Sequence, residues 1–293
     1  MSLRQQLKGT GVALVTPFKA NEDIDFNALG KLIDFIISNG VEYVVSLGTT
    51  GETPTLSKEE KFDIINFTYE KVNNRVPVVV GIGGNNTKEV AKDLATYPLE
   101  KATAVLSASP YYNKPSQEGI FQHYKVLAAA SPKPIILYNV PGRTGRNMEA
   151  ATTIRLAKEV ANIGGIKEAS NGIPQCIEIL RERPSDFLVV SGDDDLVMPE
   201  LACGIDGVIS VAANCFPKEF GDMVRSGLNQ DFVSAKKIND TLLEVYNLLF
   251  VENNPAGVKA FLYEIGLIEN VLRLPMVPLS KSIQAQVKAR VKK

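Results

Sequence analysis

The sequence has no tryptophan, a single histidine and three cysteines. Cys176, Cys203 and Cys215 are too few and too scattered for a disulfide framework or a zinc site. They read as reduced core thiols of a cytoplasmic protein. The lone histidine, His123, falls in a helical pattern. A Ser-His-Asp triad would have to use it, and no nucleophile elbow accompanies it. Neither sign of charge is in excess: 32 Lys and Arg against 33 Asp and Glu leave a net charge of −1. That balance excludes broad attraction to nucleic acid or to an acidic membrane surface. No apolar run approaches the ~18 residues of a membrane helix. Met1–Thr10 carries no apolar core of a secretory signal. Low-complexity tracts and internal repeats are also missing.

What is present is ordinary soluble-protein composition, with 45% hydrophobic and 22% charged residues. Length alone suggests about two domains, although (β/α) barrels of this size fold as one. Short continuous apolar runs recur at Val12–Thr16, Tyr43–Leu47, Pro77–Ile82, Ala102–Ser107, Pro134–Asn139, Ile163–Lys167, Phe187–Ser191 and Gly207–Val211. Continuous rather than alternating runs belong to parallel strands covered on both faces. Each run is followed by a helical period. The first is Phe26–Asn39, stopped by Gly40, and the second is capped by Ser57 with Glu60 three residues on. Eight strand–helix units predict an α/β fold, a (β/α)8 TIM barrel over residues 1–228. The remaining segment, 229–293, shows apolar periods but no strand, and is expected to be a helical appendage.

In such a barrel the reacting groups sit at the C-terminal strand ends. Asn162–Ser170 (N-I-G-G-I-K-E-A-S) ends an apolar run in one lysine, Lys167. Burial in general disfavours an ammonium, and a neutral amine attacks carbonyls to form a Schiff base. The ordinary alternative is a strand-end lysine bridging to an acid such as Glu168. The turn Gly48-Thr49-Thr50-Gly51-Glu52 can bring N–H groups and hydroxyls to an anion such as a keto-acid carboxylate; it can also be a plain strand–helix turn. Tyr138, at another strand end, can shuttle protons or be a core tyrosine bonded to backbone. Arg143, in a Gly-flanked turn, can grip a carboxylate with two N–H groups or form a surface salt bridge of little consequence. Tyr111, Tyr112, Gly192 and Ile209 fall on or near the same rim. Gly81–Gly84 lacks the full dinucleotide fingerprint. Asp193–Asp195 has no companion ligand cluster, and a helix N-terminus favours acids in any case. Neither metal nor organic cofactor is expected.

Taken together, G-T-T-G-E, P-Y-Y-N-K-P, Y-N-V-P-G-R-T-G and G-I-K-E-A appear in the order and spacing of a known group. The whole chain resembles the pyruvate-dependent class I aldolase superfamily, which includes N-acetylneuraminate lyase and dihydrodipicolinate synthase. Arg143, the second tyrosine of P-Y-Y-N and the Glu168-Ala169 pair make it look most like the dihydrodipicolinate (4-hydroxy-tetrahydrodipicolinate) synthases. The resemblance implies a Schiff-base lyase joining pyruvate to aspartate semialdehyde in lysine and diaminopimelate biosynthesis. It implies Lys167 as imine former, Tyr138 as proton donor and acceptor, and Thr49 as a link from Tyr138 to Tyr112. Thr50 would hold the pyruvate carboxylate, Arg143 the semialdehyde carboxylate, and Ile209 and Gly192 would line the pocket. In that family the second tyrosine enters from a neighbouring subunit, so Tyr112 implies a homodimer, usually within a homotetramer. Some members are inhibited by lysine at a pocket matched here by Asn85, Glu89 and Tyr111. The position of its His or Glu is taken by Lys61, with Lys58 nearby, so weak or absent lysine feedback is expected. Two alternatives stay open: another pyruvate aldolase, such as N-acetylneuraminate lyase or a sugar-acid aldolase, and a catalytically silent barrel.

Overall fold

The computed structural model describes residues 1–292. Eight parallel strands close into a barrel: β1 (Gly9–Ala13), β2 (Tyr43–Ser46), β3 (Val78–Gly81), β4 (Ala104–Ala108), β5 (Ile135–Asn139), β6 (Ile163–Glu168), β7 (Leu188–Ser191) and β8 (Gly207–Ser210). They follow one another round the barrel, and β8 pairs back onto β1. The (β/α)8 expectation is met, and helices follow the strands as the periodicity predicts. Helix Lys58–Val72 begins at Ser57, where the Ser57–Glu60 capping box is formed in full. Helix Gln117–Ala130 carries His123, as the helical pattern around that residue predicts.

Apolar side chains divide into two sets. One lies between the strands and the surrounding helices, including Ile135, Leu137, Ile163 and Ile166. The other fills the barrel interior, including Tyr43, Val79, Ile136, Tyr138, Val190 and Ile209. A helix at Leu3–Gln6, absent from the sequence expectation, delivers Leu3 and Leu7 to the interior set. Strand β1 starts three residues before the apolar run, because Gly9, Thr10 and Gly11 join it. Glycine is a poor strand former, but here the barrel needs it. A Cβ on Gly11 would come within 2.2 Å of the Tyr43 ring carbon that bears its hydroxyl.

One irregularity decides where the lysine strand points. Between β5 and β6 the register runs Ile135 to Ile163, then Ile136 to Gly165, leaving Gly164 as an extra residue. This is a β-bulge. Ile163 and Ile166 both face the helices although they are an odd number of positions, three, apart. Beyond the bulge Lys167 therefore aligns with the inward Tyr138, and Glu168 with Asn139.

Past the eighth unit the chain continues as helices Phe232–Phe250, Ala256–Ile265 and Lys281–Val291. Among the described residues no helix is long and apolar enough to cross a membrane.

Candidate active site

Lys167 is only 5% exposed at the C-terminal end of β6. Its neighbour in register on β5 is Tyr138, whose ring centre lies 4.6 Å from the lysine Nζ. On the far side, β7 runs into Gly192. A Cβ there would sit 2.7 Å from the lysine Cε and 2.6 Å from the Ala169 Cβ. Gly192 is thus a glycine for lack of room, and the lysine stem occupies the space.

Glu168 is not the lysine's counter-ion. The strand turns it to the opposite face, where it accepts from Asn139 Nδ2 at 2.9 and 3.1 Å, Gln175 Nε2 at 3.0 Å and the Ser170 N–H at 2.9 Å. Burial pushes its carboxyl upward, against those donors. The bridging alternative for Lys167 therefore loses its partner.

The turn after β2 is built from two short 3₁₀ segments, Thr49–Gly51 and Thr53–Thr55, which meet at Glu52. Glu52 has φ 52°, a left-handed backbone that is uncommon for a residue other than glycine. Thr50 is buried, and its Oγ1 accepts from Asn254 Nδ2 at 3.0 Å. Thr53 Oγ1 donates to the backbone oxygens of Leu47 and Gly48 and closes the turn. Arg143 lies on the short helix Pro141–Thr144, and its Nη2 donates to Asn253 Oδ1 at 3.0 Å.

A cavity of about 750 Å³ gathers Thr49, Thr50, Tyr138, Arg143, Lys167 and Gly192. Tyr246, Asn247, Phe250, Asn253 and Asn254 from the C-terminal segment also line it. None of these five was singled out by sequence reasoning. The adjacent asparagines before a proline, Asn253-Asn254-Pro255, were the available signal. Ile209 lies two residues earlier on β8 than the wall residue Val211, in the interior set with Tyr138. Tyr112 does not enter the cavity of its own chain; it is 86% exposed in the loop after β4.

The acidic run at the end of β7 anchors loops. The Val211 and Ala212 N–H groups donate to Asp194 Oδ2 at 3.0 and 2.7 Å, and the Asn171 N–H to Asp193 Oδ2 at 3.2 Å. Burial raises both carboxyls to about 6, opposed by these backbone donors and by the nearby Lys167 charge. His123 is buried in its helix, with Nδ1 2.9 Å from Thr87 Oγ1, and burial drops it to about 4. Beside the main cavity a cleft of about 380 Å³ runs past Lys61, Thr53, Pro54, Gly81 and Tyr111. Asn85 Nδ2 donates to the Tyr111 backbone oxygen at 3.3 Å, and Lys58, which does not line the cleft, pairs with Asp93 at 3.3 Å.

One cavity thus gathers a primary amine, a phenol, two hydroxyls and a guanidinium. Such a set suits a small anionic carbonyl compound: donors for the carboxylate, an amine for the carbonyl carbon, and a phenol to carry protons.

Residues 6–293 match the model of the dihydrodipicolinate synthetase family. A 4-hydroxy-tetrahydrodipicolinate synthase of Parabacteroides distasonis is 53% identical over 272 residues, covering 93% of this chain and 92% of its own. A dihydrodipicolinate synthase from Thermotoga maritima superposes with a TM-score of 0.95 at 39% identity, covering 98% of both chains. A chloride-inhibited dihydrodipicolinate synthase from Acinetobacter baumannii, solved with pyruvate, gives a TM-score of 0.94 at 39% identity over 98% of both chains.

Proposed function

The chain belongs to the dihydrodipicolinate synthetase family, and from that premise we propose that it condenses pyruvate with L-aspartate 4-semialdehyde, as a class I lyase of lysine and diaminopimelate biosynthesis. The observation that carries this reading is the pairing of Lys167 with Tyr138 in one cavity, 4.6 Å from amine to ring centre.

The Lys167 amine attacks the pyruvate ketone, and the carbinolamine loses water to give an iminium. Tyr138 accepts and returns the protons of addition and dehydration. The Thr50 hydroxyl and the backbone of the turn hold the pyruvate carboxylate, with Thr49 beside them. Loss of a methyl proton gives the enamine, whose carbon bonds to the semialdehyde aldehyde carbon while that oxygen takes a proton. The acceptor's own amine then closes the ring on the imine carbon and displaces Lys167. Arg143 holds the acceptor carboxylate, and Gly192 and Ile209 shape the pocket. The iminium is the electron sink, so the scheme calls on no metal and no organic cofactor.

Tyr112 completes the proton relay through Thr49 by entering a partner's cavity. The working unit in this reading is a homodimer, or a homotetramer made of two such dimers, in the cytoplasm. Its exposure on a single chain supports that role.

Borohydride reduction in the presence of pyruvate tests the chemistry. The expected result is a permanent pyruvyl adduct on Lys167, found by peptide mass and lost in Lys167→Ala. Turnover with aspartate semialdehyde rather than N-acetylneuraminate fixes the acceptor. Absence of any adduct in the wild-type chain would overturn the reading in favour of a silent barrel.

A further inference from the structure

Two buried contacts tie the Thr49–Thr50 turn to the C-terminal helical segment, and the scheme above uses neither. The first joins Asn254 to Thr50, residues 204 positions apart, through Nδ2 and Oγ1 at 3.0 Å. A threonine hydroxyl has one proton and accepting lone pairs. With an amide N–H on its accepting side, its proton is left to point at a ligand.

The second contact is an ion pair between Glu52 and Lys259, and the lysine is fully buried. The Lys259 Nζ also donates to the Val271 oxygen at 2.9 Å and stands 4.1 Å from the Phe18 ring centre. The Arg273 N–H donates to Glu52 Oε2 at 3.0 Å. Glu52 is therefore gripped from the C-terminal side at the very residue where the turn takes its left-handed backbone. Removing two charges from water is unfavourable, and apolar side chains of like volume often serve stability as well or better. A strained backbone persists only where its surroundings over-determine it, and such sites cluster at ligand clamps.

We propose that Asn254 and Lys259 are positioning residues for the pyruvate carboxylate, Asn254 aiming the Thr50 hydroxyl and Lys259 fixing the turn through Glu52. The C-terminal segment is then a working part of the donor site. This rests on pyruvate being the substrate, and the test separates the two.

Borohydride trapping is run across a pyruvate titration, with turnover measured alongside. In Asn254→Asp the new carboxylate can only accept, so it draws the Thr50 proton away from the ligand. Half-saturation by pyruvate should rise by about tenfold or more, with a smaller change in turnover at saturating pyruvate. Glu52→Gln combined with Lys259→Met removes both charges at once and leaves none buried alone. It should raise half-saturation in the same direction while melting near the wild-type temperature. Should that pair fail to fold, Glu52→Asp keeps both charges but draws the carboxylate back by one methylene, and must show the same shift. A wild-type chain that traps no pyruvate overturns the substrate. Trapping with wild-type half-saturation in Asn254→Asp or in the folded turn variant overturns the inference alone.

Discussion

Glu200 offers a measurable conflict between folding and ionisation. It lies on helix Val197–Cys203, is 2% exposed, and its Oε2 has no partner. Burial, with Asp193, Glu168 and Asp195 adding repulsion against the help of Ser191, lifts its carboxyl from 4.5 to about 7. A raised carboxyl means that the folded chain prefers the protonated form. Its favourable contribution is whole below the unfolded value and is lost as pH rises through about 7. The full shift corresponds to ~3 kcal/mol at 1.36 kcal/mol per pH unit. Most of that, about 2.5 kcal/mol, falls between pH 5 and pH 8.5. Glu200→Gln keeps the shape and removes the titration. Urea unfolding at fixed protein concentration should therefore find the variant more stable than wild type at pH 8.5 by roughly this amount, and close to it at pH 5. Asp194 titrates in both proteins and cancels in the comparison, whereas the repulsion between Asp193 and Glu200 is part of the difference measured. If the difference between the two proteins does not change with pH, or if the glutamine variant is the weaker one at pH 8.5, the buried carboxylate is not opposing the fold and the reasoning is refuted.

Gly192→Ala places a methyl 2.7 Å from the lysine Cε; overpacking of this kind costs ~1–3 kcal/mol, and the pyruvate adduct should form more slowly while circular dichroism stays that of a folded barrel. His123 gives the opposite pH signature from Glu200. Its folded value is lowered to about 4 from 6.5, so stability present above pH 6.5 drains away as pH falls toward 4. His123→Gln should flatten that part of the denaturation profile, and an unchanged acid limb would reject the assignment. Lysine at low concentrations should leave turnover unaltered, because a cation at Lys61 repels the ligand's ammonium; inhibition in a direct rate assay would show otherwise.

The strands were legible because a buried parallel strand is written locally, as a short apolar run. That the amine, phenol and threonines would share one cavity followed from asking which polar residues end those runs. The start of β1 was not legible: Gly9 and Gly11 look like strand breakers until Tyr43, thirty-odd positions on, claims the space. The C-terminal wall of the cavity was hidden for a related reason. Asn254 and Lys259 act on Thr50 and Glu52 across more than two hundred residues of sequence, and no local pattern encodes that contact. One hint was available in Val258-Lys259-Ala260-Phe261-Leu262, where a single charge stands inside an apolar helical run. Such a charge must find a buried partner. The role proposed for Tyr112 was legible only through family resemblance, since a residue proposed to work in a neighbouring subunit leaves no mark on its own chain's cavity.

The extra glycine in the sixth strand acts as a switch of parity. Below it odd-numbered residues look outward, and above it they look inward, so Ile163 and Lys167 serve opposite sides of one wall. Excising Gly164 would close the bulge and leave the amine beside Tyr138, because Ile163 and Gly165 already pair with consecutive residues of β5. Losing both Gly164 and Gly165 would instead swing the amine into the helical layer and turn Glu168 toward the cavity, exchanging an amine for an acid without touching either. The spare residue thus lets Ile163 keep its place under the helices while Lys167, higher on the same strand, keeps its place in the cavity.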